Sequence, residues 1–294
     1  MGYILAFAVA LASLGRDNAA WLALFVVHVA LAVVITGVIW FWHDRTTGLH
    51  GLVRHLYPLM LYSFFYRELQ VATFWVFPEF LDQHVVSFER VLFGLDPNVW
   101  IMRVQTAWAN ELMMMGYSSY YLLIPLVALP LFFRRRIAEL RGMLYGTTAA
   151  FVLSYIGFVL FPVEGPRYFF ADQFQEPLAG WFFVPMVRYV IDNGAIHGGC
   201  MPSSHVAVAL VALFWARRSL PRLGIVLTPF VFILILATAW GRFHYVTDAV
   251  VGIIVGVAAL SLTGFWAKAE SRERRSEMSS LGAGSESGAL RERA

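Results

Sequence analysis

Long apolar runs dominate the chain, and short polar segments separate them. Most runs reach about 20 residues, the length of helix that the hydrocarbon core of a bilayer requires. Backbone groups inside hydrocarbon must be hydrogen-bonded within their own segment, so each run predicts a membrane-spanning helix. The predicted spans are Trp21–Trp42, Leu56–Phe77, Leu112–Phe133, Met143–Phe161, Pro202–Trp215, Gly224–Trp240 and Tyr245–Trp266, and the shorter run Tyr3–Leu14 makes the expected total seven or eight.

Composition supports this reading and excludes most other classes of protein. Apolar residues make up 59% of the 294 residues and charged residues only 14%, whereas soluble domains average about 25% charged residues. So little polar surface cannot coat a soluble globule, and a single cysteine, Cys200, excludes a disulfide scaffold. The net charge of +3 comes from arginines between apolar runs, which argues against nucleic-acid binding. The predicted fold class is all-α, a polytopic transmembrane helix bundle.

The arginine clusters predict how the bundle is oriented. They lie at 134–141, 217–222 and 268–275, and two predicted spans separate each cluster from the next. The positive-inside rule places all three on the cytoplasmic side, together with the C-terminus. We therefore expect a bacterial inner-membrane protein whose extracytoplasmic segments are 82–111, 162–201 and 241–244.

Three polar islands interrupt the apolar pattern on the predicted extracytoplasmic side. Glu164–Tyr168 follows one span, Pro202–His205 begins another, and Arg242–Asp248 begins a third. Because each island lies at the end of a span that faces the same compartment, we expect the three to meet in one pocket.

The histidines of these islands are candidate catalytic residues. His244 and Asp248 are four residues apart, a spacing that places both on one face of a helix. A carboxylate beside a histidine fixes its tautomer and makes the other ring nitrogen a better nucleophile or base. Ser203, Ser204 and His205 begin a predicted helix, whose free amides suit an anion. His205 is placed to protonate a leaving oxygen.

Arg167 and Arg242 are candidate phosphate ligands, because the forked donors of a guanidinium match a phosphate. Two histidines, two arginines, a carboxylate and a helix N-terminus together indicate a phosphate-handling site. Candidate substrate-lining residues are aromatic, and anchoring at the membrane interface is their alternative role; they are Tyr117, Tyr120, Tyr121 and Tyr168.

The islands resemble the motifs of the type 2 phosphatidic acid phosphatase (PAP2) superfamily, K-x6-R-P, P-S-G-H and S-R-x5-H-x3-D. The second and third motifs are matched by Pro202–His205 and by His244 with Asp248. The departures are Leu160 for the lysine, Tyr168 for the proline after Arg167, Ser204 for the glycine, and Thr238 for the arginine of the third motif.

The resemblance implies a reaction and roles. His244 attacks phosphorus and carries a phosphohistidine, Asp248 orients it, and His205 protonates the leaving alcohol and then activates the acceptor. The groups implied to hold the phosphoryl oxygens are Arg167, Arg242, Ser203 and Ser204. No metal or other cofactor is required, since arginines and a helix end supply the positive charge. The implied substrate is a membrane phospholipid or a polyprenyl phosphate.

The shifted arginine and the string Gly165–Tyr168 are more similar to the branch that contains fungal inositol phosphorylceramide synthase and its bacterial relatives. The stretch Phe80–Pro97, with Glu89, is similar to that branch as well. It implies transfer of a phospho-headgroup to a polyol such as inositol, in phospholipid or sphingolipid metabolism, whereas water as acceptor makes a lipid phosphatase. The expected domains are N-terminal transmembrane segments (1–55), a PAP2-like membrane catalytic domain (56–266) and a disordered cytoplasmic tail (267–294).

Two other sites are conceivable around the second island. A zinc site from His197, Cys200 and His205 has suitable ligand types but lacks a fourth ligand and a familiar spacing. A serine hydrolase using Ser203 or Ser204 lacks the G-x-S-x-G nucleophile elbow.

A lipid transporter or scramblase without chemistry is the main alternative function. Arg67 and Glu68 lie within a predicted span, and charges inside a membrane often line a pathway. An interhelical pair that supports the fold, or a span boundary misplaced by one turn, explains the same two residues.

Overall fold

The fold is an all-α bundle, seen in a computed structural model that describes residues 2–14, 21–44, 47–174 and 176–264. These residues form helices and turns without a β-strand, apart from one isolated parallel bridge between Val163 and Gly199. The helices are α1 (Gly2–Leu14), α2 (Trp21–Phe41), α3 (Gly48–Glu68), α4 (Asp82–Phe93), α5 (Pro97–Ile101), α6 (Ala107–Ser118), α7 (Tyr120–Phe133), α8 (Ile137–Leu160), α9 (Pro166–Phe169), α10 (Phe183–Gly194), α11 (Ser204–Ser219), α12 (Pro221–Trp240) and α13 (Val246–Gly264).

Five helical stretches of the described chain are long and apolar enough to cross a membrane. They are α2, the continuous stretch of α6 and α7, α8, α12 and α13. The apolar helix α1 is shorter, and α11 has only 16 residues. A polytopic helical membrane protein is therefore confirmed, while a total of seven or eight spans stays a prediction. The predicted tail 267–294 lies outside the described residues.

Some predicted span boundaries are displaced. The run predicted at Leu56–Phe77 forms α3 over Gly48–Glu68 and then enters a 3-10 turn at Leu69–Val71. The span predicted from Leu112 starts five residues earlier, at Ala107, and α6 gives way to α7 at Ser119. Apolar residues continue past the end of α3, and polar residues lie inside the start of α6. Hydropathy alone therefore misplaces both helix limits.

Helix α11 forms the centre of the bundle and packs against α7, α8 and α12. Its inner residues are small or β-branched, and those fully buried include Val206, Ala207, Val208, Ala209, Val211 and Ala212. Gly252 and Gly256, four residues apart on α13, face the backbone of Ser203 and Ala207. This small-residue spacing lets two helices approach closely, and it fixes the second polar island beside the third.

Glu68 ties the three N-terminal helices together. Its carboxylate accepts a hydrogen bond from the Tyr3 hydroxyl of α1 at 3.0 Å and lies 3.2 Å from His28 Nε2 of α2. The sequence left open whether Glu68 forms an interhelical pair, and the structure shows that it does. Arg67, the next residue, instead donates to the carbonyl of Asn193 at 3.1 Å.

The polar islands and the basic loops lie at opposite ends of the bundle. Helix α8 runs from the loop that contains Arg136 to the first island, and α11 runs from the second island to the basic pair Arg217 and Arg218. At the basic end, Arg136 donates to the carbonyl of Ser219 and pairs with Glu139 at 2.6 Å.

Candidate active site

The two histidines of the polar islands meet at a small cavity. The ring centroids of His205 and His244 are 5.7 Å apart, and the ring planes are inclined at 63° to each other. Both line a cavity of ≈ 50 Å³ together with Arg167. One water molecule needs only about 10–15 Å³ of such volume, so the cavity has room for a group larger than a single water.

His244 and Asp248 are in contact, but His244 is not on a helix. It lies in the turn before α13, which begins at Val246. Its Nδ1 lies 3.4 Å from Asp248 Oδ2, and that oxygen also accepts the backbone N–H of Tyr245 at 2.8 Å. Asp248 is the third residue of α13, so it caps the helix from inside as an acid at this position commonly does. The predicted pair is present, and the prediction that both lie on one helix is wrong.

The turn that carries His244 is held by a residue that sequence reasoning missed. Asn98 donates from Nδ2 to the carbonyls of Ala239 and His244, each at 3.0 Å. The carbonyl of Thr238 accepts the N–H groups of Phe243 and His244 at 3.1 and 3.0 Å. These bonds fix where the imidazole of His244 lies.

His205 extends from the first turn of α11. Its Nε2 lies 3.1 Å from the Tyr117 hydroxyl, and its Nδ1 is buried without a hydrogen-bond partner in the described residues. Ser203 is the N-cap of α11, but its side chain makes no capping bond, and its Oγ is buried without a hydrogen-bond partner among the residues that the structure describes. No histidine therefore activates Ser203, which argues against the serine-hydrolase alternative. The N–H of Ser203 donates to the carbonyl of Asp248 at 3.0 Å.

Arg167 reaches the histidine cavity from α9. Its guanidinium donates to the Tyr168 hydroxyl and, at 3.4 Å, to Asp192 Oδ1, and its carbon lies 4.6 Å from the centre of the Tyr168 ring. It also lines a neighbouring cavity of ≈ 300 Å³ on the side of Arg188. Arg167 therefore connects the two spaces.

Arg242 faces the neighbouring cavity and does not line the histidine cavity. Its backbone is left-handed, with φ 65°, a conformation that few non-glycine residues adopt. Its guanidinium donates to the carbonyl of Glu176 at 2.9 Å and to Gln105 Oε1 at 3.3 Å. Burial, and then the charge of Arg188, lowers the pKa of Arg242. The phosphate-binding role of Arg242 stays a prediction.

The sequence matches one family over most of the bundle. A profile of the PAP2 superfamily matches residues 83–262, more than half of the chain. This chain belongs to the PAP2 superfamily. A PA-phosphatase related-family protein of Dictyostelium discoideum is 30% identical over 112 residues, which are 37% of this chain and 20% of that protein. The chain thus spans about a fifth of the length of that relative. No solved structure matches the present chain.

The PAP2 match contains all three polar islands and leaves α1, α2 and α3 outside it. Glu89 of α4 and Asn98 of α5 lie inside it, whereas Asp82, the first residue of α4, lies one position before it. The residues that hold the histidine turn therefore belong to the PAP2 part of the chain.

The predicted substrate-lining tyrosines surround the PAP2 site in different ways. Tyr117 is fully buried against His205, and the Tyr120 ring lies 4.3 Å from the His205 ring. Tyr120 and Tyr121 line a third cavity of ≈ 300 Å³ that also reaches His205. Tyr168 lines the small histidine cavity. Their contact with substrate stays a prediction.

Tyrosines form a large part of the wall of the third cavity. Besides Tyr120 and Tyr121, it is lined by the side chains of Tyr62, Tyr66 and Tyr155, with Arg67 among its polar residues. It shares His205 and Tyr66 with the histidine cavity, so the two spaces adjoin.

Two buried acids of α4 fasten the islands together, and sequence reasoning assigned neither a role. Asp82 accepts the N–H groups of Glu164 and Gly165 and the hydroxyl of Tyr245, each at 2.8 Å. It thereby joins the first island to the third. A signal was present in the sequence, because α4 places acids on the same helical face as two of its valines; the buried residues are Asp82, Val85, Val86 and Glu89.

Glu89 holds the start of α13. Its Oε1 accepts the N–H of Thr247 at 2.7 Å and the hydroxyl of Thr247 at 2.9 Å. Glu89 is 2% exposed, and burial raises the pKa of its carboxyl.

Cys200 contacts both His244 and Asp248. Its thiol donates to Asp248 Oδ2 at 2.9 Å and lies 3.4 Å from His244 Nδ1. Burial raises the pKa of the Cys200 thiol. The zinc site considered from His197, Cys200 and His205 does not form, because His197 instead pairs with Glu164 at 2.7 Å. Among the described residues, the metal-ligating cluster found is Cys200, His244 and Asp248.

Proposed function

We propose that the chain is an integral-membrane PAP2-type lipid phosphatase or phosphotransferase that works through a phosphohistidine on His244. The observation that supports this most strongly is the histidine cavity, which His205, His244 and Arg167 line together. His205 Nδ1 is buried there without a protein partner in the described residues. A buried polar atom without a partner is costly, so a substrate oxygen at this position removes the cost.

In the first step His244 is the nucleophile. Asp248 lies at Nδ1, and a proton on Nδ1 leaves the lone pair on Nε2. Nε2 attacks phosphorus, the bond from phosphorus to the leaving alcohol oxygen breaks, and His205 gives its proton to that oxygen. As the acid, His205 carries a proton on both ring nitrogens: its Nε2–H donates to the Tyr117 hydroxyl oxygen, and its Nδ1–H, which has no protein partner among the described residues, is the proton that goes to the leaving oxygen.

In the second step the phosphoenzyme is discharged. His205, now unprotonated, removes a proton from water or from an alcohol acceptor. The acceptor oxygen attacks phosphorus and the N–P bond to His244 breaks, which restores both histidines. Water gives phosphatase activity and a polyol such as inositol gives phosphotransfer.

Positive charge at the phosphoryl group comes from the protein in this proposal. Arg167 lines the histidine cavity, and the amides of Ser204 and its neighbours point from the N-terminus of α11. Such fixed donors stabilise the charge that develops on phosphoryl oxygens without a metal ion. We infer from the shifted arginine and the first island that the inositol phosphorylceramide synthase-like branch is the nearest in chemistry.

The orientation is part of the same proposal. The basic loops lie at the end of the bundle away from the histidines, and the positive-inside rule places basic loops in the cytoplasm. The histidine cavity then faces the extracytoplasmic side of a bacterial inner membrane. The tyrosine-lined cavity beside His205 is mostly apolar and suits the lipid portion of the substrate.

The test is an assay of the purified protein on several phospholipids and a polyprenyl phosphate, with and without inositol. Mass spectrometry follows phosphate and lipid products. We expect turnover in the wild type and none in the His244→Ala variant. A transporter without chemistry predicts instead that the variant moves lipid differently and that neither protein releases phosphate.

Inhibitors give a second check on the proposal. Vanadate mimics pentavalent phosphorus and is expected to inhibit, whereas EDTA is expected to leave the rate unchanged. A strict requirement for added Mg²⁺ contradicts the mechanism.

A further inference from the structure

Three atoms of different ligand type converge beside the nucleophile. Cys200 Sγ lies 2.9 Å from Asp248 Oδ2 and 3.4 Å from His244 Nδ1, and the latter two atoms are 3.4 Å apart. All three residues are buried. The proposed reaction uses His244 and Asp248 but gives the thiol of Cys200 no role.

The triangle of these atoms has the size of one face of a tetrahedral zinc site. Zinc binds sulfur at about 2.3 Å and histidine nitrogen or carboxylate oxygen at about 2.0–2.2 Å. A point in the plane of the three atoms lies about 1.9 Å from each of them, given their separations. A cation displaced slightly from that plane therefore meets all three ligands at zinc bond lengths without movement of the backbone.

The charge around the triangle also favours a cation. The buried acids Asp82 and Glu89 interact electrostatically with Cys200 and Asp248, respectively. Within the described ranges no arginine or lysine forms a salt bridge with Asp82, Glu89 or Asp248. The second carboxylate oxygen of Asp248, Oδ1, is buried and has no hydrogen-bond partner in the described part of the chain. A divalent cation bound by one thiolate and one carboxylate gives a neutral group, which removes the cost of burying charge.

The site is reachable, because Cys200 and His244 both line the histidine cavity. A fourth ligand is then a water molecule in that cavity, as in zinc sites with an open position.

We propose that Cys200 Sγ, His244 Nδ1 and Asp248 Oδ2 bind Zn²⁺ and that this zinc inhibits phosphoryl transfer. On binding, the S–H bond of Cys200 breaks, its proton goes to solvent, and an S–Zn bond forms. The Nδ1 lone pair of His244 goes to zinc, so the ring proton resides on Nε2. That nitrogen then has no lone pair with which to attack phosphorus.

The inhibitory effect rests on the proposed function, whereas metal binding does not. The chain has one cysteine, so the ultraviolet sulfur-to-cadmium charge-transfer band of the full-length protein in detergent reports on Cys200 alone. Cd²⁺, a zinc substitute, is titrated into wild type, Cys200→Ser, His244→Gln and the control His197→Gln. Zinc inhibition is measured separately as the ratio of rates with and without Zn²⁺, except in His244→Gln.

We expect the cadmium band in wild type and His197→Gln, none in Cys200→Ser, and a midpoint at least about tenfold higher in His244→Gln because one ligand is lost. Zinc is expected to inhibit wild type and His197→Gln, reversibly on chelation, but not Cys200→Ser. An unchanged midpoint in His244→Gln means that the thiol alone holds the metal and overturns the site. Equal zinc inhibition in Cys200→Ser does so as well.

The two proposals fail separately. If cadmium binds as expected but the protein never releases phosphate, the proposed function is refuted and the metal site is supported. If the enzyme is active but shows no sulfur-to-cadmium band, the metal site is refuted and the proposed function is supported.

Discussion

The close approach of α13 to α11 gives the sharpest test of how the islands are positioned. A Cβ atom added at Gly252 lies 2.6 Å from the carbonyl oxygen of Ser203 and 3.1 Å from Val206 Cβ. An ordinary contact begins at 3.4 Å, so the Gly252→Ala variant must open the interface by about 0.8 Å, a shift close to the 1 Å that costs an enzyme as much as 10²-fold. The atom in the way is backbone, and no rotamer relieves it.

The shift falls on the first turn of α11, which carries His205, and on the first turns of α13, which carry Asp248. We therefore expect Gly252→Ala to lower kcat/KM for a lipid phosphate by about 10- to 100-fold and stability by about 1–3 kcal/mol. The assays are steady-state phosphate release and thermal unfolding in detergent.

The matched control is Gly37→Ala in α2, where no described atom lies within 4 Å of the added Cβ. It is expected to keep full activity. If Gly252→Ala is as active and as stable as Gly37→Ala, the two islands are not held by this contact and the reasoning fails.

Three further substitutions test the hydrogen bonds around the histidines. Asp82→Asn replaces with an amide the carboxylate that accepts two N–H groups and one hydroxyl, so we expect the free energy of unfolding to fall by about 1–3 kcal/mol. The assay is thermal unfolding, and an unchanged melting temperature contradicts the fastening role. Tyr117→Phe removes the partner of His205 Nε2 and is expected to lower kcat by about tenfold with KM unchanged, whereas a change in KM alone points to substrate contact. Glu89→Gln keeps an acceptor for Thr247 and removes a carboxyl whose pKa burial raises. Folded Glu89 holds its proton more tightly than unfolded Glu89, so wild type loses stability relative to Glu89→Gln as pH rises through the raised pKa; a stability difference that does not change between acid and neutral pH contradicts this.

The sequence was sufficient for the fold class and for the contact between His244 and Asp248. Apolar runs of membrane length predict helices because hydrocarbon allows few other backbones. The spacing of His244 and Asp248 predicted their contact, which the structure places at 3.4 Å.

The supporting residues could not be paired from the sequence, because their partners are far along the chain. Asn98 bonds His244 across 146 positions, and Asp82 bonds Tyr245 across 163. The face of α4 indicates that its acids are buried, but no local rule names the groups they accept. Only the packed bundle brings α4 and α5 to the third island.

The local sequence also could not predict which cavity the Arg242 side chain faces. It lies two positions before His244 along the chain, which suggested a shared site. Its left-handed backbone and its bonds to Glu176 and Gln105 turn it into the neighbouring cavity instead. Those partners belong to segments that the sequence order alone does not place beside it.

The most direct measurement of the central claim is to trap the covalent intermediate. The purified protein is mixed with a lipid phosphate labelled at phosphorus and quenched in base within one turnover, and the labelled peptide is sequenced by mass spectrometry. The account predicts an acid-labile phosphoryl group on His244 that is absent from His244→Ala. A label on another residue, or product release from His244→Ala at the wild-type rate, contradicts it.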